Sequence, residues 1–366
     1  MFNIDYLIVG SGLTGAVIAR MLHDAGREVL VLDRRSHWGG NVHDTTHESG
    51  ISVHTYGPHY FRTSSARIWD FARRFGEFYK YEAALLADLL DERAAWPIGA
   101  SYIRRVIGTD WHPEFSGTPL NFEEAALAIM PRKVYETFVK EYNEKQWGVP
   151  ADTLAASLCG RFEVRHDDEP RLKPACPYQG LPLHGYAAWM RGMLQGIPLL
   201  LNYDYLAHRR RWQPRKCLVF TGPIDEFFSF ELGRLAYRGQ RRSHSYLPDV
   251  KHFAQPTGQV NNPLHAGGNH IRTLEWKHMM RPDLAAKIQG TVLTTETPYS
   301  PSNPTDFEYP FPDDANAQLY QRYRLRAESL ERTLICGRLG EYRYYDMDQA
   351  IGRAITLAER LLEQLP

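Results

Sequence analysis

The sequence predicts an α/β protein: a Rossmann-like dinucleotide-binding domain, discontinuous along the chain, with a mainly helical insertion and an antiparallel β-sheet domain. Three observations carry this prediction. Residues 6–9 are a short apolar run with β-branched members that leads into Gly10-Ser11-Gly12-Leu13-Thr14-Gly15 and a helical pattern over 16–25. A second strand, 28–32, ends on Asp33. The carboxyl end then repeats the order, with a strand at 334–336, a glycine turn at 337–340 and a helix over 347–362.

Each part of the amino-terminal unit has a physical reason. Gly10 permits the tight turn, Gly12 lets the backbone approach a pyrophosphate, and Gly15 allows close helix-to-strand packing. Asp33, 18 residues past Gly15, can accept from a ribose hydroxyl. The pyrophosphate rests on the helix amino end, where free N–H groups and the helix dipole favour an anion. Glycines alone mark ordinary turns; the flanking strands and the acid make this a dinucleotide signature. Arg34 follows the acid, and Gly39-Gly40-Asn41 adds a second backbone approach that a plain NAD domain does not need but a longer flavin dinucleotide uses, so the reading is FAD. The candidate cofactor residues of this unit are Gly10, Gly12, Thr14, Gly15, Asp33, Arg34, Gly40 and Asn41.

At 366 residues the chain is long for one core, which predicts two or three lobes. With 43 basic and 43 acidic residues the balance excludes a general nucleic-acid surface, and no apolar window is long enough to span a membrane. The amino terminus carries Asp5 and breaks at Gly10, which reads as a core strand rather than a signal peptide. Cys159, Cys176, Cys217 and Cys336 lack disulfide or metal spacing, so a reducing cytoplasm and no metal are expected.

Further along, residues 51–56 alternate as a strand and run into Gly57-Pro58-His59. That rigid turn either holds an imidazole against a flat ring or carries a satisfied, partly buried histidine. Helical spacing over 64–82, a hairpin over 85–96 closed by Pro97, and helical spacing over 121–145 behind the cap Asn121 make 62–150 a mainly helical domain. The irregular stretch 150–182 predicts a mobile or functional loop, near 152–166, leading into a strand. A helix over 186–194 and strands at 199–202 and 217–220 return to the nucleotide domain, assigned to 1–61, 183–236 and 325–366. The sheet domain takes 151–182 and 237–324. Arg209-Arg210-Arg211 and Arg241-Arg242 read as solvated surface. Arg161, Arg272 and Arg338 differ, lying beside glycine or aromatic residues, and the planar fork of arginine suits a diphosphate.

Several longer motifs occur in one order: Gly10 to Gly15, Gly39-Gly40-Asn41, Tyr56-Gly57-Pro58-His59, the run from Glu141 to Gly148 ending Lys145-Gln146-Trp147-Gly148, Tyr178-Gln179-Gly180-Leu181-Pro182, Thr221-Gly222-Pro223, and the run from Gly337 to Met347. Together they resemble the prokaryotic UDP-galactopyranose mutases over nearly the whole chain. The resemblance implies an isomerase that needs reduced FAD yet performs no net redox change: the flavin N5 attacks the anomeric carbon of a nucleotide-diphosphate sugar, and a flavin-sugar iminium lets the ring reclose as a furanose. It further implies that His59 lies against the flavin and that Arg338, Arg238, Asp346 and Met347 are near the cofactor. Arg161 and Arg272 would take the substrate diphosphate, and with His59 form the catalytic set. Phe138 and Tyr142 would contact the base and Trp147 would line the sugar side, with Asn143, Asn262 and Tyr344 as further substrate-binding positions. Phe138 and Tyr142, at i and i+4, also fit an ordinary helix-face core, and Trp147 fits packing. A homodimer, a reductant such as NAD(P)H or a reductase, and a nucleotide-diphosphate sugar are the partners the resemblance implies.

The chain also departs from the family pattern. Arg62 stands where a second histidine is usual, Gly99 where an asparagine follows Pro97-Ile98, Asn143 where a threonine follows Tyr142, Leu172 or Lys173 where a tyrosine is usual, and Glu308 where a tyrosine contacts phosphate. An acid beside a diphosphate is unfavourable unless turned away or paired with an arginine. These changes lie in the half of the site that reads nucleotide and sugar. Two other readings stay open: a conventional flavin oxidoreductase of the amine-oxidase kind, and a flavin-binding protein without catalysis.

Overall fold

The computed structural model describes residues 2–364. At its centre a five-stranded parallel sheet runs in the order Leu199–Leu200, Val29–Leu32, Phe2–Val9, Trp212–Phe220 and Thr333–Ile335. The helix Leu13–Asp24 follows the first strand and is buried along most of its length, sandwiched against Gly185–Met193 and the closing helix Met347–Gln364. Its small residues Gly15, Ala16 and Ala19 explain how it lies so close. A Cβ on Gly15 would come 2.0 Å from the Gly10 carbonyl oxygen, so any side chain there would push helix and strand apart. Strands drawn from residues 2–9, 199–220 and 333–335 make this domain discontinuous, because parallel neighbours need crossover connections.

A second sheet of seven strands runs in the order Tyr309–Pro310, Tyr237–Leu247, Thr291–Tyr299, Arg272–Glu275, Gln259–Asn261, Leu85–Asp88 and Arg93–Trp96. Here the lobe boundaries differ from those read in the sequence. The hairpin 85–96, expected in the helical domain, has its first strand paired in parallel with Gln259–Asn261 and extends the sheet. Likewise Phe61–Thr63 and Phe78–Tyr79 both pair with Tyr178–Pro182, and Phe61, Phe71, Ala72 and Leu181 join the core of the nucleotide domain. The helical lobe is correspondingly smaller. It runs from Ala100–Val106 to the 3-10 segment Ala156–Arg161 around its own core of Phe122, Met130, Tyr135, Phe138 and Trp147. Long-range pairing decides these boundaries, and local spacing is blind to it.

The helix expected over 121–145 is broken. Asn121 does cap Phe122–Leu127, its Oδ1 accepting from Glu124 N at 2.9 Å. Pro131, which lacks an N–H to continue the ladder, then starts a new helix at Arg132–Val134. Six residues, Tyr135–Lys140, wind as a π-helix before Glu141–Trp147 resumes α geometry. Helical spacing over 64–82 shrinks to Ala66–Arg73, capped by Ser65, before the chain turns into the strand at 78–79.

Candidate active site

A groove crosses the carboxyl ends of the parallel strands, where Gly10, Gly12, Thr14, Asp33, Arg34, Gly40, Asn41, His59, Arg338 and Met347 all line it. Gly15 lies behind the groove as a packing residue. Gly40, at φ +59°, approaches Gly12 so closely that a Cβ would stand 2.8 Å from the Gly12 Cα. The two glycine segments thus form one bare backbone cradle. Asp33 accepts from Ser11 N at 2.8 Å and Ser11 Oγ at 2.6 Å, which fixes the acid at the end of its strand. Arg34 is pinned by Glu226 through two bonds of 2.9 and 2.8 Å. Thr221, Gly222 and Pro223, just past the carboxyl end of the strand Trp212–Phe220, complete the floor. The motif Thr221-Gly222-Pro223 carries no cofactor role in the sequence reading above; its place at the end of a parallel strand is the signal for one. This donor-rich, side-chain-free cradle beside a helix amino terminus fits the diphosphate of a flavin dinucleotide.

His59 stands in the groove wall. Its Nδ1 lies 2.8 Å from the Gly57 carbonyl oxygen, so Nδ1 carries the proton and Nε2 is left as an acceptor. Burial, reinforced by His54, holds His59 down to about 3, and burial alone does the same for His54, whose Nδ1 accepts from His59 N at 3.1 Å. Both rings are therefore neutral at pH 7. Because the folded values lie below the ordinary histidine value of 6.5, the unfolded chain takes up two protons that the folded one refuses as pH falls from 6.5 toward 3. Stability is full at neutral pH and is lost on acidification through that window. Melting curves between pH 7 and 4.5 should show a falling midpoint, and His54→Gln should flatten the dependence; an unchanged slope would refute this account.

Behind the groove a wider cleft is lined by Arg62, Trp96, Ile98, Trp147, Arg161, Phe162, Leu172, Lys173, Tyr344 and Asp346, among others. The segment 342–347 separates the two spaces. Tyr342, Arg343, Tyr344 and Asp346 line the cleft, while Tyr345 and Met347 line the groove. Asp346, expected at the cofactor, is therefore on the other side, where it accepts from Tyr344 Oη at 3.0 Å and meets Arg62 at 3.6 Å. Arg161 reaches over the Tyr344 ring at 4.1 Å and has no carboxylate partner among the described residues.

Other expected positions are corrected by their burial and bonding. Phe138 is fully buried in the helical core beneath Trp96, whose half-buried ring lines the cleft instead, with centroids 6.2 Å apart. The i, i+4 spacing of Phe138 and Tyr142 is core packing for the first residue. Tyr142 is half-buried, its ring 5.2 Å from Trp96, and burial raises its hydroxyl above the ordinary value. Asn143 spends its amide on the Val139 carbonyl at 2.7 Å. Asn262 and Lys145 tie down the loop before Arg272, the ammonium donating to four carbonyls at 2.6 to 3.1 Å while burial lowers it to about 8. Arg238 lies away from the groove, bound to the Gln146 carbonyl at 2.7 Å and Ser300 Oγ at 2.6 Å. Its guanidinium serves the carboxyl end of Glu141–Trp147, where free carbonyls need donors.

Arg242 overturns its reading as solvated surface: its side chain is 9% exposed. Its fork is gripped by Glu308 through two bonds of 2.9 Å, and its Nε donates to Glu296 at 2.8 Å. Glu296 also accepts from Arg272 Nε. Arg242, Glu296 and Arg272 are direct neighbours across adjacent strands, so a row of alternating charge crosses the sheet. Burial alone would raise Glu296, but Arg272 and Arg242 bring it below the usual carboxylate value. The Glu308 departure is thus accommodated by an arginine. The Gly99 departure has its own reason, since a Cβ there would stand 2.8 Å from Asp168 Oδ1, the carboxylate that accepts from Ser101 N and Oγ in the first turn of Ala100–Val106.

The groove defines a dinucleotide-binding protein of the flavin type, with a separate aromatic and cationic cleft beside it. The UDP-galactopyranose mutase family model matches residues 137–344, and a model of an NAD(P)-binding Rossmann-like domain matches 8–75. The chain belongs to the UDP-galactopyranose mutase family. It is 29% identical to a probable UDP-galactopyranose mutase of Klebsiella pneumoniae, covering 100% of this chain and 96% of that one. It is also 29% identical to a dTDP-fucopyranose mutase of Escherichia coli, over 96% and 97% of the two chains. A crystal structure of reduced UDP-galactopyranose mutase superposes with a TM-score of 0.73 at 14% identity, over 100% of this chain and 95% of that one, a likeness of fold.

Proposed function

We propose that this protein is a flavin-dependent mutase that interconverts the pyranose and furanose forms of a sugar carried on a nucleoside diphosphate, a relative of UDP-galactose. The observation that carries the reading is the pair of spaces that share the segment 342–347: a flavin-type groove beside a cleft holding Arg161, an arginine without a carboxylate partner among the described residues. When bound, reduced FAD supplies the nucleophilic nitrogen that bonds to the anomeric carbon, with no net redox change. The chain's own residues bind and aim. Trp96 offers a ring face to the base, Arg161 takes the diphosphate, and Arg272, held at Nε by Glu296, keeps its terminal nitrogens for the same anion. Neutral His59, in the wall of the groove, would meet the flavin without adding charge. The same reading expects a cytoplasmic homodimer, reduced by NAD(P)H or a reductase.

Purified protein, reduced with dithionite and given UDP-, dTDP- and GDP-sugars, should convert at least one to its furanose, resolved by anion-exchange chromatography, without forming peroxide. If every sugar including UDP-galactose stays unchanged, the mutase reading fails; peroxide formation from oxidised flavin would favour a conventional oxidase.

A further inference from the structure

Glu308 is joined to the groove by two routes. Its carbonyl oxygen accepts from Arg338 Nη1 at 3.3 Å, and Arg338 lines the groove. Its carboxylate grips both terminal nitrogens of Arg242 at 2.9 Å. Arg242 in turn lies against the turn that bears His59: a Cβ on Gly57 would stand 3.2 Å from Arg242 Nη2 and 2.6 Å from Glu296 Oε1. The Gly57 carbonyl accepts the hydrogen bond from His59 Nδ1–H, so the charged row, the turn and the groove wall are in sequence. The row holds two guanidiniums and two carboxylates, a net charge of zero, all of it buried or nearly so.

We propose that Glu308 is a positioning residue that cancels the charge of Arg242 beside the His59 end of the groove and so sets the reduction potential of the bound flavin. The inference rests on the reading that the groove holds FAD; it does not need the mutase activity. Two-electron reduction adds negative charge to the flavin ring, because the reduced ring readily gives up a proton and persists as an anion. A positive charge placed nearby favours that state, and a negative one opposes it. In the low-dielectric interior such an effect persists over distances at which bulk water would screen it. With Glu308 in place Arg242 exerts little net field. An uncharged side chain at 308, which the family pattern usually has, would leave one positive charge uncompensated.

The test is a set of potentials measured by dye equilibration on FAD-loaded protein. Glu308→Gln should raise the midpoint potential, Arg242→Gln should lower it, and the double variant should return close to the unsubstituted value. Glu308→Asp, which keeps the charge, should leave it nearly unmoved. A role in packing alone predicts shifts of one sign, or none, and a double variant worse than either single; that pattern overturns the proposal. Should Glu308→Gln fail to fold, Glu308→Tyr puts an uncharged group in the same place and carries the same expectation of a rise. Failure of the mutase reading is distinguishable, since it would appear as absent furanose product while the potentials still followed the sign of the charge.

Discussion

Arg161→Ala yields a yellow, folded protein whose turnover with its nucleotide sugar is lower by about 30- to 1000-fold, the range expected when one partner of a desolvated, charge-assisted pair is cut away. The reasons lie in where this arginine sits. It ends the 3-10 segment Ala156–Arg161 and rests on the face of Tyr344 at 4.1 Å, bound to no carboxylate among the described residues, so its removal opens no cavity and strands no buried charge. Melting temperature and flavin content should therefore stay close to the unsubstituted protein. Arg161→Lys should recover only part of the loss, because a point charge cannot reproduce the planar fork that pairs with phosphate oxygens. Tyr344→Phe keeps the supporting ring and should be the milder change. Steady-state rates on dithionite-reduced enzyme decide the matter: turnover of Arg161→Ala within threefold of the original would remove Arg161 from the site.

The parts of this architecture legible in the sequence are those fixed by local chemistry. Gly10 to Gly15, Asp33 and the pair Gly39-Gly40 announce the groove because the turn, the close approach and the helix amino end all lie within one short stretch. The parts that were missed depend on what a residue meets far along the chain. Nothing near residue 85 says that it will pair with residue 259, and nothing near Phe138 says that Trp96 will lie over it. The double arginine at 241 and 242 is the instructive failure. Read as a charge run it looks solvated, yet it sits in a strand, Tyr237–Leu247, where neighbouring side chains take opposite faces. Arg241 is exposed against Tyr299, whereas Arg238, Gln240 and Arg242 turn inward together. Period-two alternation along this strand places Arg242 inside with Arg238 and Gln240.

The largest effect on stability is expected at Glu296. This carboxylate is fully buried and stands between two guanidiniums, accepting from Arg242 Nε with one oxygen and from Arg272 Nε with the other. Surface ion pairs contribute little, but cutting one member out of a buried set leaves charge without a partner in a poor solvent for it, at a cost of about 3–5 kcal/mol. Glu296→Ala strands Arg272 outright and leaves Arg242 with Glu308 alone. The melting temperature of the FAD-loaded protein should fall by roughly 5–10 °C, taking about 2 °C per kcal/mol for a chain of this size. Glu296→Gln should fall less, since its amide oxygen still accepts one bond. Added salt should rescue neither, because the row lies beyond the reach of screening ions. Gly57 packs directly against Glu296 Oε1, so the turn carrying His59 should loosen as well, and the flavin absorbance band of Glu296→Ala should shift. A melting temperature within 2 °C of the original would mean that the row contributes no net stability, and Arg272 would then be held by something other than its neighbour across the strands.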